Sequence, residues 1–223
     1  MQRRSDGPSD EQLAIVMVGL PARGKTFLAD KLARYLRWRG FGVGAFNVGD
    51  YRRRHLGAKQ SASFFDPNDP DTVAARDRIA RLALDDMLDF FRTGGEVGIY
   101  DATNTTRKRR AHIAEDCRAA GLNMVMIESI CQDAALVEQN IRNTKLTSPD
   151  YEGVDPAAAI ADFRGRIANY EQAYEPVAED EGSFIKYVDV GRRVVVNELR
   201  GHLPQKLVSV LLNSHLGQRP IFL

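Results

Sequence analysis

The stretch Gly19-Leu20-Pro21-Ala22-Arg23-Gly24-Lys25-Thr26 constrains this chain more than any other. It matches G-x-x-x-x-G-K-S/T at every fixed position, a pattern whose glycines let backbone N–H groups close on a phosphate. Its flanks agree with that reading. Leu13-Ala14-Ile15-Val16-Met17-Val18 is a continuous apolar run, as expected of a buried parallel strand. Beyond Lys25, Leu28, Leu32 and Tyr35/Leu36 recur on one face of a helix. Strand, glycine loop and helix in this order aim amides and a helix N-terminus at an anion. Lys25 then reaches the β- and γ-phosphates of a nucleotide, and the Thr26 hydroxyl is a candidate Mg²⁺ ligand. The candidate nucleotide segment is Gly19 to Thr26 (Gly19, Leu20, Pro21, Ala22, Arg23, Gly24, Lys25, Thr26) with Phe27 beyond it.

What surrounds this loop is ordinary for a water-soluble domain. The 223 residues, 43% hydrophobic and 27% charged, suit one large domain or at most two small ones. A net charge of +1 gives no global footprint for a nucleic-acid or membrane partner. Cys117 and Cys131 fall on separate elements, and the four histidines are scattered, so no metal-ligand spacing appears. The polar stretch 1–12 reads as a flexible tail without a signal-peptide core. No apolar run approaches the ~18–20 residues of a membrane span, which makes the cytoplasm the expected compartment.

Further along, residues 42–48 read as a second strand, followed by Gly49-Asp50-Tyr51-Arg52-Arg53-Arg54. Three adjacent arginines are commonly a solvated turn, but a segment after a strand's carboxyl end lies on the ligand rim of an open α/β sheet. A surface loop is expected over 55–71, then a long helix capped by Asp71 or Thr72 and ending at Thr93-Gly94-Gly95. Glu96 to Asp101 is the next strand. Its terminal Asp101 fits the carboxylate that holds Mg²⁺ in a nucleotide site. Thr105 or Thr106 caps the helix that follows, and Arg107-Lys108-Arg109-Arg110 offers guanidinium groups near the metal. Residues 122–130 form a strand, and Cys131 just after it reads as a small buried hydrophobe. Asp133 caps a helix carrying Asn140 and Lys145 near its end, and Asp155-Pro156 opens another to about Tyr174. Arg166 and Tyr170, four apart, share a face of the latter. Phe184 to Val190 is the last strand of the main sheet, and 194–215 is mainly helix, interrupted near Pro204. The fold class is α/β, of P-loop NTPase type, with a mainly parallel central sheet flanked by helices on both faces.

Six blocks occur in order: Gly19 to Thr26, Asn47-Val-Gly-Asp-Tyr-Arg-Arg53, Asp101-Ala-Thr-Asn-Thr-Thr-Arg107, Glu128-Ser-Ile-Cys131, Ser148-Pro-Asp-Tyr151 and Val190-Gly191. Together they resemble the kinase domain of the bifunctional family 6-phosphofructo-2-kinase/fructose-2,6-bisphosphatase. The resemblance implies a P-loop kinase domain over 13–216 that uses ATP and Mg²⁺. It also implies fructose 6-phosphate as partner substrate, phosphorylated at its 2-hydroxyl. By the same resemblance, Lys25 and Thr26 hold phosphates and Mg²⁺, and Asp101 is the active-site carboxylate. Lys145 bridges phosphoryl group and sugar, and Asn140 lies in the same ATP segment. Arg52, Arg76, Thr103, Arg109, Arg166 and Tyr170 match the fructose 6-phosphate site, and Cys131 matches an active-site cysteine of undefined chemistry. Asp50 departs from the family, where animal relatives usually carry Gln. Residues 217–223 look like the strand that in the bifunctional enzymes runs on into an Arg-His-Gly motif. That motif is absent here, so no bisphosphatase activity is expected of this chain. The apolar Phe222-Leu223 points to a missing C-terminal phosphatase domain or to a partner surface such as a homodimer's. Competing expectations are a P-loop kinase for another sugar phosphate or a nucleoside, and a non-catalytic ATP-binding module.

Overall fold

Alternation along the first strand explains the layering. The computed structural model describes residues 12–145 and 148–213, with the side chains of Thr144 and Lys145 outside that description. In chain order the main elements are β1 (Leu13–Val18), α1 (Lys25–Trp38), β2 (Val43–Asn47), α2 (Val48–Leu56) and α3 (Pro70–Arg92). Then come β3 (Val97–Asp101), α4 (Arg107–Ala119), β4 (Asn123–Ile130) and α5 (Ala134–Asn140). The last are α6 (Pro156–Gln172), β5 (Phe184–Val188), β6 (Arg193–Asn197) and α7 (His202–Leu212). Leu13, Ile15 and Met17 pack under α1 and α7, while Ala14, Val16 and Val18 pack under α3 and α4. A strand buried on both faces needs apolar residues at every position, which is why β1 shows no polar alternation. Each fully buried Ile, Leu or Val there contributes about 1.5–3 kcal/mol of hydrophobic stabilisation.

The sheet order is β2-β3-β1-β4-β5-β6. The first five strands are parallel and β6 is antiparallel to β5. The chain winds to the β3 side of β1 and then crosses to β4. The order therefore reverses at β1, and a crevice opens at the carboxyl ends beside it. Gly19 leaves β1 at that point.

Several expectations need correction. Residues 48–56 are a helix rather than a turn, started by Asn47, whose side chain accepts from the Asp50 amide at 3.1 Å. The long helix is capped by Asp69 with Pro70 in its first turn, not by Asp71 or Thr72. The region from Val194 is a strand before it is a helix: β-branched Val194–Val196 pairs with β5, and the helix starts at His202. Pro204 sits in the first turn of α7, where a missing N–H costs nothing, so it does not interrupt the helix. Gln12 is tied down, its amide donating to the carbonyls of Phe91 and Gly95. The rest of the expected tail, and the strand expected at 217–223, lie outside the described residues. Among the described residues no helix is long and apolar enough to cross a membrane.

Candidate active site

The loop after β1 has the backbone its glycines predict. Gly19 adopts φ +133° and Gly24 adopts φ +82°, with Ala22 also at positive φ. Gly19 N donates to Thr103 O at 2.9 Å, joining the loop to the segment after β3. A side chain at Gly19 would meet the Ser129 carbonyl oxygen at 2.5 Å, so β4 closes against the loop from the other side. Ser129 Oγ donates to Arg23 O at 2.5 Å, and Asn140 Nδ2 donates to Ala22 O at 3.0 Å. The loop is thus braced from three elements before any ligand arrives. Lys25 is buried, its Nζ donating to Leu20 O at 2.6 Å.

Asp101 ends β3 directly opposite Asn47 of β2 in parallel register. Its Oδ2 accepts from Thr26 Oγ1 at 2.8 Å and from Asn47 Nδ2 at 2.5 Å. The loop hydroxyl and the strand-end carboxylate, expected on separate grounds to serve one cation, are therefore in direct contact. Hard oxygen donors of this kind suit Mg²⁺, which takes one or two protein ligands and completes its shell with phosphate oxygens and water. Among the described residues there is no cluster of three or more His, Cys, Asp or Glu that could hold a metal ion.

One cleft of about 1560 Å³ runs from the phosphate loop across the carboxyl ends of the strands. Pro21 to Phe27, Asp101, Cys131 and Asn140 are among the residues that line it, as are Arg52, Arg76, Thr103, Arg109, Arg166 and Tyr170. Gly19 and Leu20 do not line it. The arginines are held, not waving in solvent. Arg52 and Arg166 are buried around Asp150, at 2.6 and 3.3 Å from its Oδ2. Arg166 also lies over the Phe65 ring, 4.0 Å from its centroid, and its Nε is buried without a hydrogen-bond partner among the described residues. Such a donor costs about 1–3 kcal/mol until something accepts from it. Arg76 donates to the carbonyls of Phe65, Asp66 and Thr72, and Arg109 donates to Asn104 Oδ1 and Asp77. Tyr170 packs its ring 5.7 Å from that of Phe65. Asp50 pairs with Arg53 within α2.

The basic run at the start of α4 divides. Arg110 is buried against Glu181 and Arg107 pairs with Asp180, so of the four only Lys108 and Arg109 face the cleft. Lys145 closes a π-helical turn, Ile141–Lys145, that continues α5, and its side chain lies outside the description. Cys131 is buried with its thiol 3.8 Å from Asp133 O; burial pushes that thiol up from its ordinary pKa. Burial of this kind disfavours the thiolate, the nucleophilic form of the group.

Three residues that carry the geometry had no individual role in the sequence reading. Asn47 holds Asp101. Asn104, fully buried at φ +45°, donates to Met17 O and accepts from Arg109. Asn tolerates that backbone better than most residues, a signal available in the sequence only once a turn is known there. Asp150 is the third. Burial would raise its pKa, but the hydrogen bond and charge of Arg52, then the charges of Arg166 and Arg53, outweigh burial and hold the carboxyl below its usual range.

A phosphate loop at the sheet's switch point, a strand-end Asp on the loop threonine and helices on both faces define a P-loop kinase fold. Kti12 of Chaetomium thermophilum, solved with ADP-AlF3, matches with a TM-score of 0.55 over 92% of this chain and 100% of that one. At 17% identity that likeness concerns the fold alone. A family model described as 6-phosphofructo-2-kinase matches residues 2–218, and the chain belongs to that family. The 6-phosphofructo-2-kinase/fructose-2,6-bisphosphatase of Arabidopsis thaliana is 48% identical over 97% of this chain and 30% of its own length. Its namesake in Caenorhabditis elegans is 46% identical over 94% of this chain and 48% of its own. The chain thus spans less than half the length of either relative.

Proposed function

We propose that this chain transfers the γ-phosphoryl group of Mg²⁺–ATP to the 2-hydroxyl of fructose 6-phosphate, forming fructose 2,6-bisphosphate. The observation that carries this reading is a cleft in which a phosphate loop and a set of held arginines, two of them buried, meet in a chain of this family. Phosphoryl transfer needs little covalent help from a protein; it needs alignment and charge stabilisation. ATP and a sugar phosphate repel each other, each unit like-charge pair at 4 Å costing about 4 kcal/mol at an effective dielectric near 20. Lys25 and the loop amides hold the donor phosphates. Thr26 and Asp101 would hold Mg²⁺, which would supply charge neutralisation at the donor phosphates. Arg52, Arg76, Arg109 and Arg166, with Thr103 and Tyr170, hold the acceptor. A guanidinium fork suits its 6-phosphate, which is remote from the reacting hydroxyl. Binding energy gathered there orients the 2-hydroxyl toward the γ-phosphoryl. Lys145 bridges the two substrates, and Asn140 steadies the loop through Ala22.

The test is ATP consumption in Mg²⁺ with fructose 6-phosphate, glucose 6-phosphate and a panel of nucleosides. Turnover confined to fructose 6-phosphate is expected. Turnover with a nucleoside and none with fructose 6-phosphate would reject this acceptor.

A further inference from the structure

Arg52 and Arg53 stand on α2 and Arg166 on α6, yet all three guanidinium groups face one carboxylate. Arg52 Nη2 donates to both oxygens of Asp150, at 2.7 and 2.6 Å. Arg166 gives Nη1 to Oδ2 at 3.3 Å and Nη2 to Gln60 O at 3.0 Å, while Arg53 stands at 3.6 Å. Asp150, Arg52 and Arg166 are 4%, 6% and 7% exposed, so the contacts among these three are not loose surface pairs. The carboxylate is itself fixed: it lies in the tight turn Pro149–Tyr151, pinned to α6 where Tyr151 donates to Asp162 Oδ2 at 2.7 Å.

A guanidinium recognises phosphate through a planar fork, so its rotation about its own axis decides whether its donors meet the phosphate oxygens. In Arg166 each terminal nitrogen gives one N–H to the protein, and Nε is buried with no hydrogen-bond partner among the described residues. The Phe65 ring packs against it, its centroid 4.0 Å from the guanidinium carbon. The site is thus oriented, and each terminal nitrogen of Arg166 keeps a second N–H for a ligand.

We propose that Asp150 is a positioning residue for the acceptor's phosphate. It is an internal counter-ion that lets two arginines be buried side by side and turns their remaining donors toward the 6-phosphate. It acts through Arg52 and Arg166. This inference rests on fructose 6-phosphate being the acceptor, as set out above.

The experiment titrates fructose 6-phosphate and, separately, ATP into the full chain and its variants by calorimetry, with thermal unfolding as the check on folding. Asp150→Asn keeps the shape and removes the charge; Asp150→Glu keeps the charge and displaces it by one methylene. Each should weaken fructose 6-phosphate binding at least about tenfold and leave ATP within about twofold, since Asp150→Asn loses the charge-assisted bonds that aim the guanidinium groups and Asp150→Glu keeps them paired but turns them out of position. Tyr151→Phe, which loosens the same turn and leaves the carboxylate, should stay within about threefold for both ligands, a change on the scale of one ordinary hydrogen bond. Unchanged or tighter sugar binding in Asp150→Asn would show that the carboxylate competes with phosphate. Wild-type sugar binding in Asp150→Glu would show that charge balance alone suffices. Parallel loss of ATP and sugar would show a general structural role. Any of the three overturns the proposal. If Asp150→Asn does not fold, Asp150→Glu decides alone, because its arginines stay paired. A wild-type chain that binds ATP and not fructose 6-phosphate rejects the acceptor itself, and this proposal with it, without reference to any variant.

Discussion

Gly19→Ala is the substitution for which the structure gives the sharpest expectation. The added methyl would sit 2.5 Å from Ser129 O, a backbone atom of the buried strand β4 that cannot turn aside as a side chain would. Forcing atoms into a packed site costs about 1–3 kcal/mol. The backbone adds to this, because φ at Gly19 is +133°, where L residues are rarely found. Holding a side chain in such a region costs about 1–3 kcal/mol. The two terms give about 2–6 kcal/mol, which for a domain of this size lowers Tm by about 4–24 °C. Gly24→Ala is the built-in comparison: φ is +82°, but nothing lies within 4 Å of its added methyl. Only the backbone term applies there, about 1–3 kcal/mol, or about 2–12 °C. Thermal unfolding of both variants by circular dichroism, without nucleotide, reads the difference. A Tm for Gly19→Ala at or above that of Gly24→Ala would refute the claim that β4 closes on the loop at Ser129.

Other expectations follow from the site. Asp101→Asn keeps the shape beside Thr26 and Asn47 but loses the charge, and kcat should fall at least about 100-fold, as when a preorganised electrostatic group is removed; circular dichroism should show an intact fold. Arg76→Ala should raise KM for fructose 6-phosphate and leave KM for ATP nearly unchanged, whereas a rise in both would make its bonds to Phe65, Asp66 and Thr72 its whole role. Burial pushes the Cys117 thiol up to about 12 and raises Cys131 as well. Because the reactive thiolate exists only above the pKa, a disulfide reagent at pH 8 should modify neither until denaturant is added, Cys117 having a thiolate fraction of about 10⁻⁴. Rapid native labelling of either would contradict the burial that raises it.

The phosphate loop, the central strands and most helix starts were legible because each follows from local chemistry. β1 and β4 are apolar runs since both of their faces are covered, and Asp133, Asp155 and Thr106 accept the amides their spacing foretells. What was not legible depended on contacts between distant residues. Arg52, Arg53 and Arg54 are identical letters, and helical rotation alone makes the first buried and the last exposed. Arg110 reads like Arg109, yet one is a structural ion pair with Glu181 and the other lines the cleft. Asp150 stands 98 positions from Arg52, and no periodicity links them. The edge strand β6 is not legible, because its valines run on toward the apolar residues of the helix beyond Gly201. The pairing of its backbone with β5 leaves no mark on composition.

The central claim concerns the hydroxyl that receives the phosphoryl group, and the chemistry of the product reads it directly. ATP labelled in its γ-phosphate, incubated with Mg²⁺, fructose 6-phosphate and the chain, should give a sugar bisphosphate. A phosphate on the anomeric carbon leaves in mild acid, so the label should be released while fructose 6-phosphate is regenerated. An acid-stable bisphosphate, or no label in the sugar, would contradict the account.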